Sequence, residues 1–326
     1  MGVEQRVRII VTGAAGLYGI HLVDLMCNDR NVDKVMGIDN FSRSFAAEDP
    51  FIKSKETDAK LQRTNIDYAQ LDKKIIDDFD PDVVVHLAAS ISIPESMADP
   101  WKYFNNNEKG TFALTQNLLA SSSQPLLIYA SSTEVYGNPR YLPMDENHPL
   151  NPRSTYAVTK LACEKHCMSM WEWYKYPVTI IRNFNTYGEN QNLRGYPAVI
   201  PAFIHRALEN KPLIIEGDGK QTRDFMYVGD AVNAYKTVMD NMGDSKGEVF
   251  NIGTGKDTSI SDLAEKIISM TGSKSAVTHS EPRLGDLVAL RAGVKHIKEK
   301  IGWTPKTTLE EGLKRTISWY RKNIKF

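Results

Sequence analysis

The sequence has little of what secreted, membrane-spanning or nucleic-acid-binding proteins require. Its 326 residues include three cysteines, and this small, odd number gives no disulfide framework and indicates a reducing compartment. No apolar run reaches the length that crosses a bilayer. Forty basic residues balance forty acidic ones, so no net charge draws the chain to nucleic acid or to an anionic membrane. We therefore expect a cytoplasmic protein without a membrane or nucleic-acid partner.

A metal centre is not expected either. Cys163, His166 and Cys167 lie in one short segment, but no second group of ligands accompanies them, and structural metal sites usually take four. We interpret them as packing residues of a helix. The hydrophobic fraction of 41% and the charged fraction of 25% are those of an ordinary soluble enzyme, and the length allows one large domain or two smaller ones.

A glycine-rich stretch follows the first predicted strand. Residues 7–11 have the pattern of a buried strand, and Gly13, Gly16 and Gly19 lead from it into an amphipathic run over residues 20–26. Glycines in this context let the backbone turn sharply and approach a pyrophosphate, whose charge the helix N-terminus meets. A tight turn between strand and helix is the alternative for the glycines alone.

A carboxylate at the end of the second predicted strand favours the cofactor interpretation. Residues 34–38 run into Asp39, twenty residues after Gly19. An acid there can accept hydrogen bonds from both adenosine ribose hydroxyls and repels a 2′-phosphate. Arg43 is a guanidinium that could host such a phosphate, but Asp39 is the stronger effect. The pattern predicts NAD rather than NADP.

Further buried strands are predicted over residues 81–89 and 126–130. The first ends in small residues, and the second runs into Ser131, Ser132, Thr133 and Glu134. Side chains at the carboxyl ends of parallel strands lie where such sheets bind ligands. A polar cap explains Ser131 well, but it explains Ser132 and Glu134 less well. Residues 101–121 predict a long helix, residues 42–60 predict a loop, and His86 is interpreted as a core residue.

Tyr156 and Lys160 are the pair around which the chain is organised. Four residues apart on a helix, they lie on one face, one turn apart. An ammonium beside a phenol favours the phenolate, so we expect Lys160 to lower the pKa of Tyr156 and make it a usable base. Alone, the spacing is equally typical of a solvated helix face. Its weight comes from the motifs upstream.

Together these motifs resemble the extended short-chain dehydrogenase/reductase family, and more narrowly its NAD-dependent nucleotide-sugar epimerases and dehydratases. The resemblance implies an α/β fold, with a Rossmann doubly wound parallel sheet and a smaller α/β substrate-binding lobe. The NAD-binding domain would comprise residues 1–182 plus 230–255, and the lobe residues 183–229 plus 256–326. Later segments that share the resemblance are 182–188, 217–225, 251–255, 283–286 and 302–305.

The resemblance also implies residue roles. Tyr156 would be the base, Lys160 would hold the cofactor ribose, and Ser132 would share the sugar hydroxyl proton. The diphosphate would be bound by Asn185, Arg223 and Arg283, and the nucleoside ribose by Asp286. Asn65 stands where the family usually carries an aspartate. The expected NAD contacts are Gly13, Gly16, Leu17, Tyr18, Gly19, Asp39, Asn40, Ser44, Asn65, Ile66, Leu87, Ala88, Ala89, Asn106, Tyr156 and Lys160.

The resemblance implies oxidation of a sugar at C4 to a 4-keto sugar, after which three reactions diverge. Reduction on the other face makes a 4-epimerase, loss of water from C6 a 4,6-dehydratase, and loss of carbon dioxide a uronate decarboxylase. Dehydratases and decarboxylases of the family place a glutamate at the position of Glu134, where it would act as the C5 base. Dehydratases that use an Asp-Glu pair carry an acid at the position of Thr133, and threonine is a weak one. The chain reads most like UDP-sugar 4-epimerases, with a UDP-hexose substrate, and the dehydratase is the alternative. A non-catalytic NAD-binding protein is a more distant one.

Four aromatic side chains crowd the end of the predicted Tyr156 helix. They are Trp171, Trp173, Tyr174 and Tyr176. They could belong to the core or to a dimer face. Because the family often pairs two helices from each subunit, we expect a homodimer.

Overall fold

Seven parallel strands form the central sheet of the computed structural model, which describes residues 6–42, 60–193, 197–283 and 285–324. The strands in chain order are β1 Val7–Thr12, β2 Val32–Ile38, β3 Leu61–Thr64, β4 Val83–His86, β5 Leu126–Ser132, β6 Val178–Asn183, β7 Asn185–Tyr187, β8 Leu213–Glu216, β9 Thr222–Arg223, β10 Phe225–Tyr227, β11 Val249–Ile252, β12 Thr258–Ser259 and β13 Val277–Ser280. The sheet has the order β3-β2-β1-β4-β5-β6-β11. The order reverses between β1 and β4, as in a doubly wound fold.

Helices cover both faces of this sheet. They are α1 Leu17–Cys27, α2 Lys73–Phe79, α3 Ile93–Ala98, α4 Pro100–Tyr103, α5 Gly110–Ala120, α6 Thr155–Tyr174, α7 Val199–Leu208, α8 Val228–Asp240, α9 Met242–Ser245, α10 Ile260–Thr271, α11 Lys295–Ile301 and α12 Leu309–Asn323. All seven residues of β5 are buried. Burial on both faces explains why the strands read as continuous apolar runs. The predicted Rossmann α/β fold is confirmed.

The smaller lobe consists of three two-stranded sheets and the helices around them. β10 pairs with β7 and β13 with β8 in parallel, whereas β12 pairs with β9 antiparallel. One cluster of buried apolar side chains contains both Val23 of α1 and Leu213 of β8, so the core is continuous between sheet and lobe. The division at residues 182/183, 229/230 and 255/256 stays our proposal.

The predicted helix over residues 101–121 is interrupted. Between α4 and α5 lies a π-helical turn, Phe104–Lys109. Within it Asn107 is buried, and its amide accepts from Ser90 N at 2.7 Å and donates to Ser90 O at 2.9 Å. We infer that this clamp favours the wider turn, since π turns are common where a side chain serves a neighbouring segment. Such a contact has no signal in local periodicity.

The described residues also bear on the expectations about cysteines, metal ions and membrane-spanning helices. Cys27, Cys163 and Cys167 are buried and free. Over those ranges no group of three histidine, cysteine or acidic side chains is arranged to hold a metal ion. Nor does any helix found in them have the length and apolar character to cross a membrane.

Candidate active site

The carboxyl ends of the sheet strands open into a cavity of about 1550 Å³. It lies where the strand order reverses, which is where sheets of this kind bind ligands. Small-molecule pockets usually measure roughly 300–1,000 Å³, so the cavity has room for two ligands side by side. The predicted site residues that line it are Gly13, Gly16, Leu17, Tyr18, Gly19, Asp39, Asn40, Leu87, Ala88, Ala89, Asn106, Ser132, Thr133, Glu134, Tyr156, Lys160, Asn185, Arg223, Arg283 and Asp286.

The glycine loop has the shape that a dinucleotide needs. Gly13 has a φ of +71°, and a Cβ atom there would lie 2.8 Å from the Ala88 nitrogen. Only glycine therefore fits between the loop and β4. Helix α1 begins at Leu17, so its first N–H groups, which lack partners within the helix, lie at this wall. The loop and the helix end fit a pyrophosphate.

Asp39 provides the acidic end of this wall. Its carboxylate accepts hydrogen bonds from Ala15 N at 3.0 Å and from Phe41 N at 2.7 Å, which fix it at the end of β2. A carboxylate oxygen accepts more than one hydrogen bond, so the same group suits ribose hydroxyls. The residues present thus fit the adenosine half of NAD.

Three predicted cofactor residues are not part of the cavity wall as described. Ser44 lies outside the described residues, as does Arg43. Asn65 and Ile66 directly follow β3, where Asn65 is exposed and Ile66 packs against buried side chains. Their contact with NAD stays a prediction.

Helix α6 brings Tyr156 and Lys160 into the cavity. Ser154 caps the helix by accepting from Ala157 N at 3.1 Å, which places Tyr156 in the first turn. Lys160 Nζ donates to the Ala130 carbonyl at 2.6 Å and lies 4.8 Å from the centre of the Tyr129 ring. The predicted pair therefore faces the end of β5, where Ser132 lies.

The electrostatics of the pair differ from the expectation. Burial raises the pKa of Tyr156 to about 12, the Ser132 hydroxyl opposes that rise, and the charge of Glu134 adds to it. Burial also lowers the pKa of Lys160 to about 8. The expected lowering of the phenol pKa is not found in the protein by itself, because burial dominates and the ammonium of Lys160 is bonded to Ala130. Spacing alone gave no measure of burial.

Glu134 lies between the tyrosine and the basic residues of the lobe. Burial raises the pKa of its carboxyl, Arg223 and Arg283 lower it, and Asp286 raises it. The same carboxylate raises the pKa of Tyr156. Glu134 therefore interacts electrostatically with Tyr156 at one end of the cavity and with the two arginines at the other.

The predicted diphosphate residues line the lobe side. Arg223 Nη2 donates to Asp286 Oδ1 at 2.6 Å, and Arg283 Nη2 donates to Glu216 Oε2 at 2.7 Å. The Oδ1 of Asn185 is buried without a hydrogen-bond partner among the described residues. The two guanidinium groups can take an anion once Asp286 and Glu216 release them, whereas the unpaired Oδ1 of Asn185 can only accept a hydrogen bond.

Sequence reasoning missed several polar residues of this wall. Glu216, which pairs with Arg283, ends an apolar strand, and that position was its only local signal. Tyr18 was predicted as a cofactor contact, but its hydroxyl also donates to Thr186 Oγ1 at 2.5 Å. These partners are far apart in the chain, so no spacing rule could pair them.

Comparison with known proteins places these features in context. The family described as GDP-mannose 4,6 dehydratase matches residues 10–316. A UDP-glucose 4-epimerase of Mycolicibacterium smegmatis is 33% identical over 315 residues, 96% of this chain and 98% of that one. A dTDP-D-glucose 4,6-dehydratase of Mus musculus is 32% identical over 325 residues, 97% of this chain and 89% of that one. The crystal structure of UDP-glucuronic acid 4-epimerase from Bacillus cereus, in complex with UDP-glucuronic acid and NAD, is 28% identical. It has a TM-score of 0.88 and covers 97% of this chain and 99% of that one.

Proposed function

Because the chain belongs to the family of NAD-dependent nucleotide-sugar epimerases and dehydratases, we propose that it is a 4-epimerase of a UDP-hexose. Both reactions occur among relatives of nearly equal identity, so the choice between them rests on the site. UDP is favoured because the named relatives include epimerases of UDP-sugars.

The side chain beside Glu134 carries the choice. Thr133 lines the cavity, and its Oγ1 is buried without a hydrogen-bond partner among the described residues. A dehydratase must protonate the hydroxyl that leaves C6, and an alcohol is too weak an acid for that task. A 4-epimerase needs proton exchange only at the C4 oxygen, which Tyr156 and Ser132 can provide.

The residue roles follow from this placement. In its phenolate form Tyr156 takes the proton of the C4 hydroxyl while Ser132 orients it, and later returns the proton to the same oxygen. Lys160 lies beneath them as a cation at the expected ribose position. NAD, when bound, supplies the acceptor and donor of hydride at C4. Gly13, Gly16 and Asp39 would hold it at the opposite wall.

Inversion requires the hexose to turn while its nucleotide stays bound. Arg223, Arg283 and Asn185 would grip the diphosphate at the lobe side, with guanidinium groups that can each pair two oxygens at once. The free volume of about 1550 Å³ supports such a rotation at the Tyr156 side. The reaction therefore requires that the nucleotide is held while the hexose is free to turn.

A 4,6-dehydratase is the second candidate, and Glu134 is the observation that favours it. A buried carboxyl with a raised pKa that senses Tyr156 is a suitable base for a C5 proton. The same residue could serve a uronate decarboxylase. Thr133 separates the dehydratase from the epimerase, whereas the substrate separates the decarboxylase from both.

Incubation with a panel of nucleotide sugars tests the proposal. Purified protein would receive UDP-glucose, UDP-galactose, UDP-glucuronic acid, dTDP-glucose and GDP-mannose, with products identified by mass and NMR. We expect conversion of a UDP-hexose to its C4 epimer at constant mass. Loss of water would indicate the dehydratase, and loss of carbon dioxide the decarboxylase. NAD binding without any turnover would support the non-catalytic alternative.

We further propose a homodimer, supported by exposed apolar side chains on adjacent helices. They are Met97, Trp101, Phe112, Val158 and Trp173, on α3, α4, α5 and α6. Trp173 is 81% exposed, whereas Tyr176 just beyond the helix is buried in the core. Light scattering after gel filtration should give twice the chain mass, and Val158→Glu should give the single mass. Val288→Glu, at an exposed valine elsewhere, should leave the mass unchanged. A single mass for the parent protein would contradict the dimer.

The subcellular location is part of the same proposal. Three buried, free cysteines support a reducing, cytoplasmic location.

A further inference from the structure

One face of α6 carries a third ionisable side chain in line with the catalytic pair. Tyr156, Lys160 and Glu164 follow one another at intervals of one turn, and all three are buried. Glu164 is 2% exposed and lies one turn beyond Lys160. Burying a carboxylate costs free energy unless it is paired, so its presence on the catalytic helix requires an explanation.

Glu164 connects three parts of the site. Arg182 of β6 donates to it from Nε at 3.0 Å and from Nη2 at 2.8 Å, and the Ser131 hydroxyl of β5 also donates to it. Arg182 Nη1 in turn donates to the Tyr136 hydroxyl at 2.9 Å. The helix is thereby tied to β5, the strand of Ser132, and to the neighbouring β6.

Stability alone does not account for such a pair. The desolvation cost of two buried charges often equals or exceeds their attraction, and a well-packed apolar pair is frequently as stable. The side chains of Glu164 and Arg182 are only 2% and 5% exposed. Their position beside the catalytic lysine indicates that the pair serves the active site.

We propose that Glu164, paired with Arg182, is a positioning residue that fixes the catalytic helix against Ser131 of β5 and Arg182 of β6. This inference rests on the proposed roles of Tyr156 and Lys160. Helix α6 cannot slide along the sheet without breaking the Ser131 contact and the bidentate pair, so these contacts hold Tyr156 in place relative to Ser132.

A charge-removing double variant tests the inference. Glu164→Gln with Arg182→Met removes both buried charges and leaves no ion unpaired, so we expect a folded protein. Without the pair the helix register is less fixed, so we expect kcat to fall about tenfold. KM should change by less than about threefold, because the lobe residues expected to bind the diphosphate are untouched.

Matched variants separate this role from general destabilisation. Asp230→Asn removes a buried acid that holds the Lys306 and Thr307 amides, and it should lower thermal stability without lowering kcat. An unchanged kcat in the double variant would overturn the inference. Should that variant fail to fold, Arg182→Lys keeps the charge but not the two-pronged contact. It should lower kcat, and an unchanged kcat would then overturn the positioning role.

Tyr156→Phe distinguishes failure of this inference from failure of the proposed function. If Tyr156→Phe is nearly inactive while the double variant keeps its kcat, only the role of Glu164 is wrong. If Tyr156→Phe is fully active, the proposed chemistry is wrong and the inference falls with it.

Discussion

Arg223 and Asp286 form an ion pair with 2.6 Å between Nη2 and Oδ1, although the resemblance assigns them to different parts of the substrate. The same guanidinium donates to the Leu287 carbonyl at 2.8 Å, so it is fixed to the segment that carries Asp286. An incoming diphosphate must compete with a carboxylate for this arginine. We infer that the pair compensates the cation until the nucleotide binds, and that its two members then take phosphate and ribose separately.

Removal of that cation should act mainly on substrate binding. Arg223→Gln loses charge-assisted hydrogen bonds to the diphosphate, each worth about 1.5–3 kcal/mol, so KM should rise by about tenfold or more. We expect a smaller change in kcat, because the arginine does not reach the reacting carbon. Steady-state kinetics and calorimetry with UDP measure both effects. Arg291→Gln, at an arginine outside the cavity wall, is the matched control, and an equal rise there would contradict the assignment.

Tyr156→Phe should separate cofactor binding from proton transfer. The variant keeps the ring but loses the hydroxyl, so NAD binding should persist while kcat falls by about 10²–10⁴. Tyr176→Phe is the control, because the Tyr176 hydroxyl is buried without a partner among the described residues. It should keep both activity and stability. Near-normal turnover by Tyr156→Phe would remove the proposed base.

Glu134→Gln distinguishes the two leading reactions. A 4-epimerase does not use a base at C5, so turnover should change by less than about tenfold. A dehydratase should stop at the 4-keto sugar, which would accumulate with reduced cofactor visible by its absorbance. Stopped-flow absorbance with the substrate identified by the panel measures this directly. The loss of the carboxylate should also lower the pKa of Tyr156, because Glu134 raises it.

Asp39→Asn tests the cofactor preference. The amide keeps the size of the side chain but loses the charge that repels a 2′-phosphate, so affinity for NAD should fall about tenfold relative to NADP. Asp33→Asn, at an exposed acid of the same strand, is the control. Fluorescence titration with NADH and NADPH gives both dissociation constants. An unchanged ratio would place the ribose contact elsewhere.

His86 should make the protein sensitive to acid. Burial, with a smaller effect of Lys160, lowers its pKa to about 3 from an ordinary value near 6.5. The unfolded chain binds a proton below pH 6.5 that the folded chain does not, so stability is complete above that pH and is lost as the pH falls towards 3. We expect this group to cost about 2 kcal/mol between pH 7 and pH 5.

Urea unfolding of the parent and of His86→Gln at several pH values isolates this contribution. Both proteins contain the same carboxylates, so the difference between their pH slopes belongs to the histidine. The parent should lose more free energy of unfolding than the variant between pH 7 and pH 5. Equal slopes would mean that His86 is not kept neutral by burial. Above pH 7 the two slopes should coincide.

The sequence by itself determined the sheet, the glycine loop, Asp39 and the spacing of Tyr156 and Lys160. These features depend on backbone periodicity, on the freedom of glycine and on helix geometry, all of which act between near neighbours. The sites of strands β1, β2, β4 and β5 were predictable for the same reason. Their bounds differed by only a few residues.

Only the tertiary structure decided how the charges combine. Glu164 with Arg182, Arg223 with Asp286, and Arg283 with Glu216 join residues from separate parts of the chain, and burial rather than spacing sets the pKa of Tyr156. Desolvation depends on every element packed around a group, and Coulomb forces depend on distance through the folded chain. Local sequence contains neither quantity, so it predicted residues that line the cavity but not their electrostatic state.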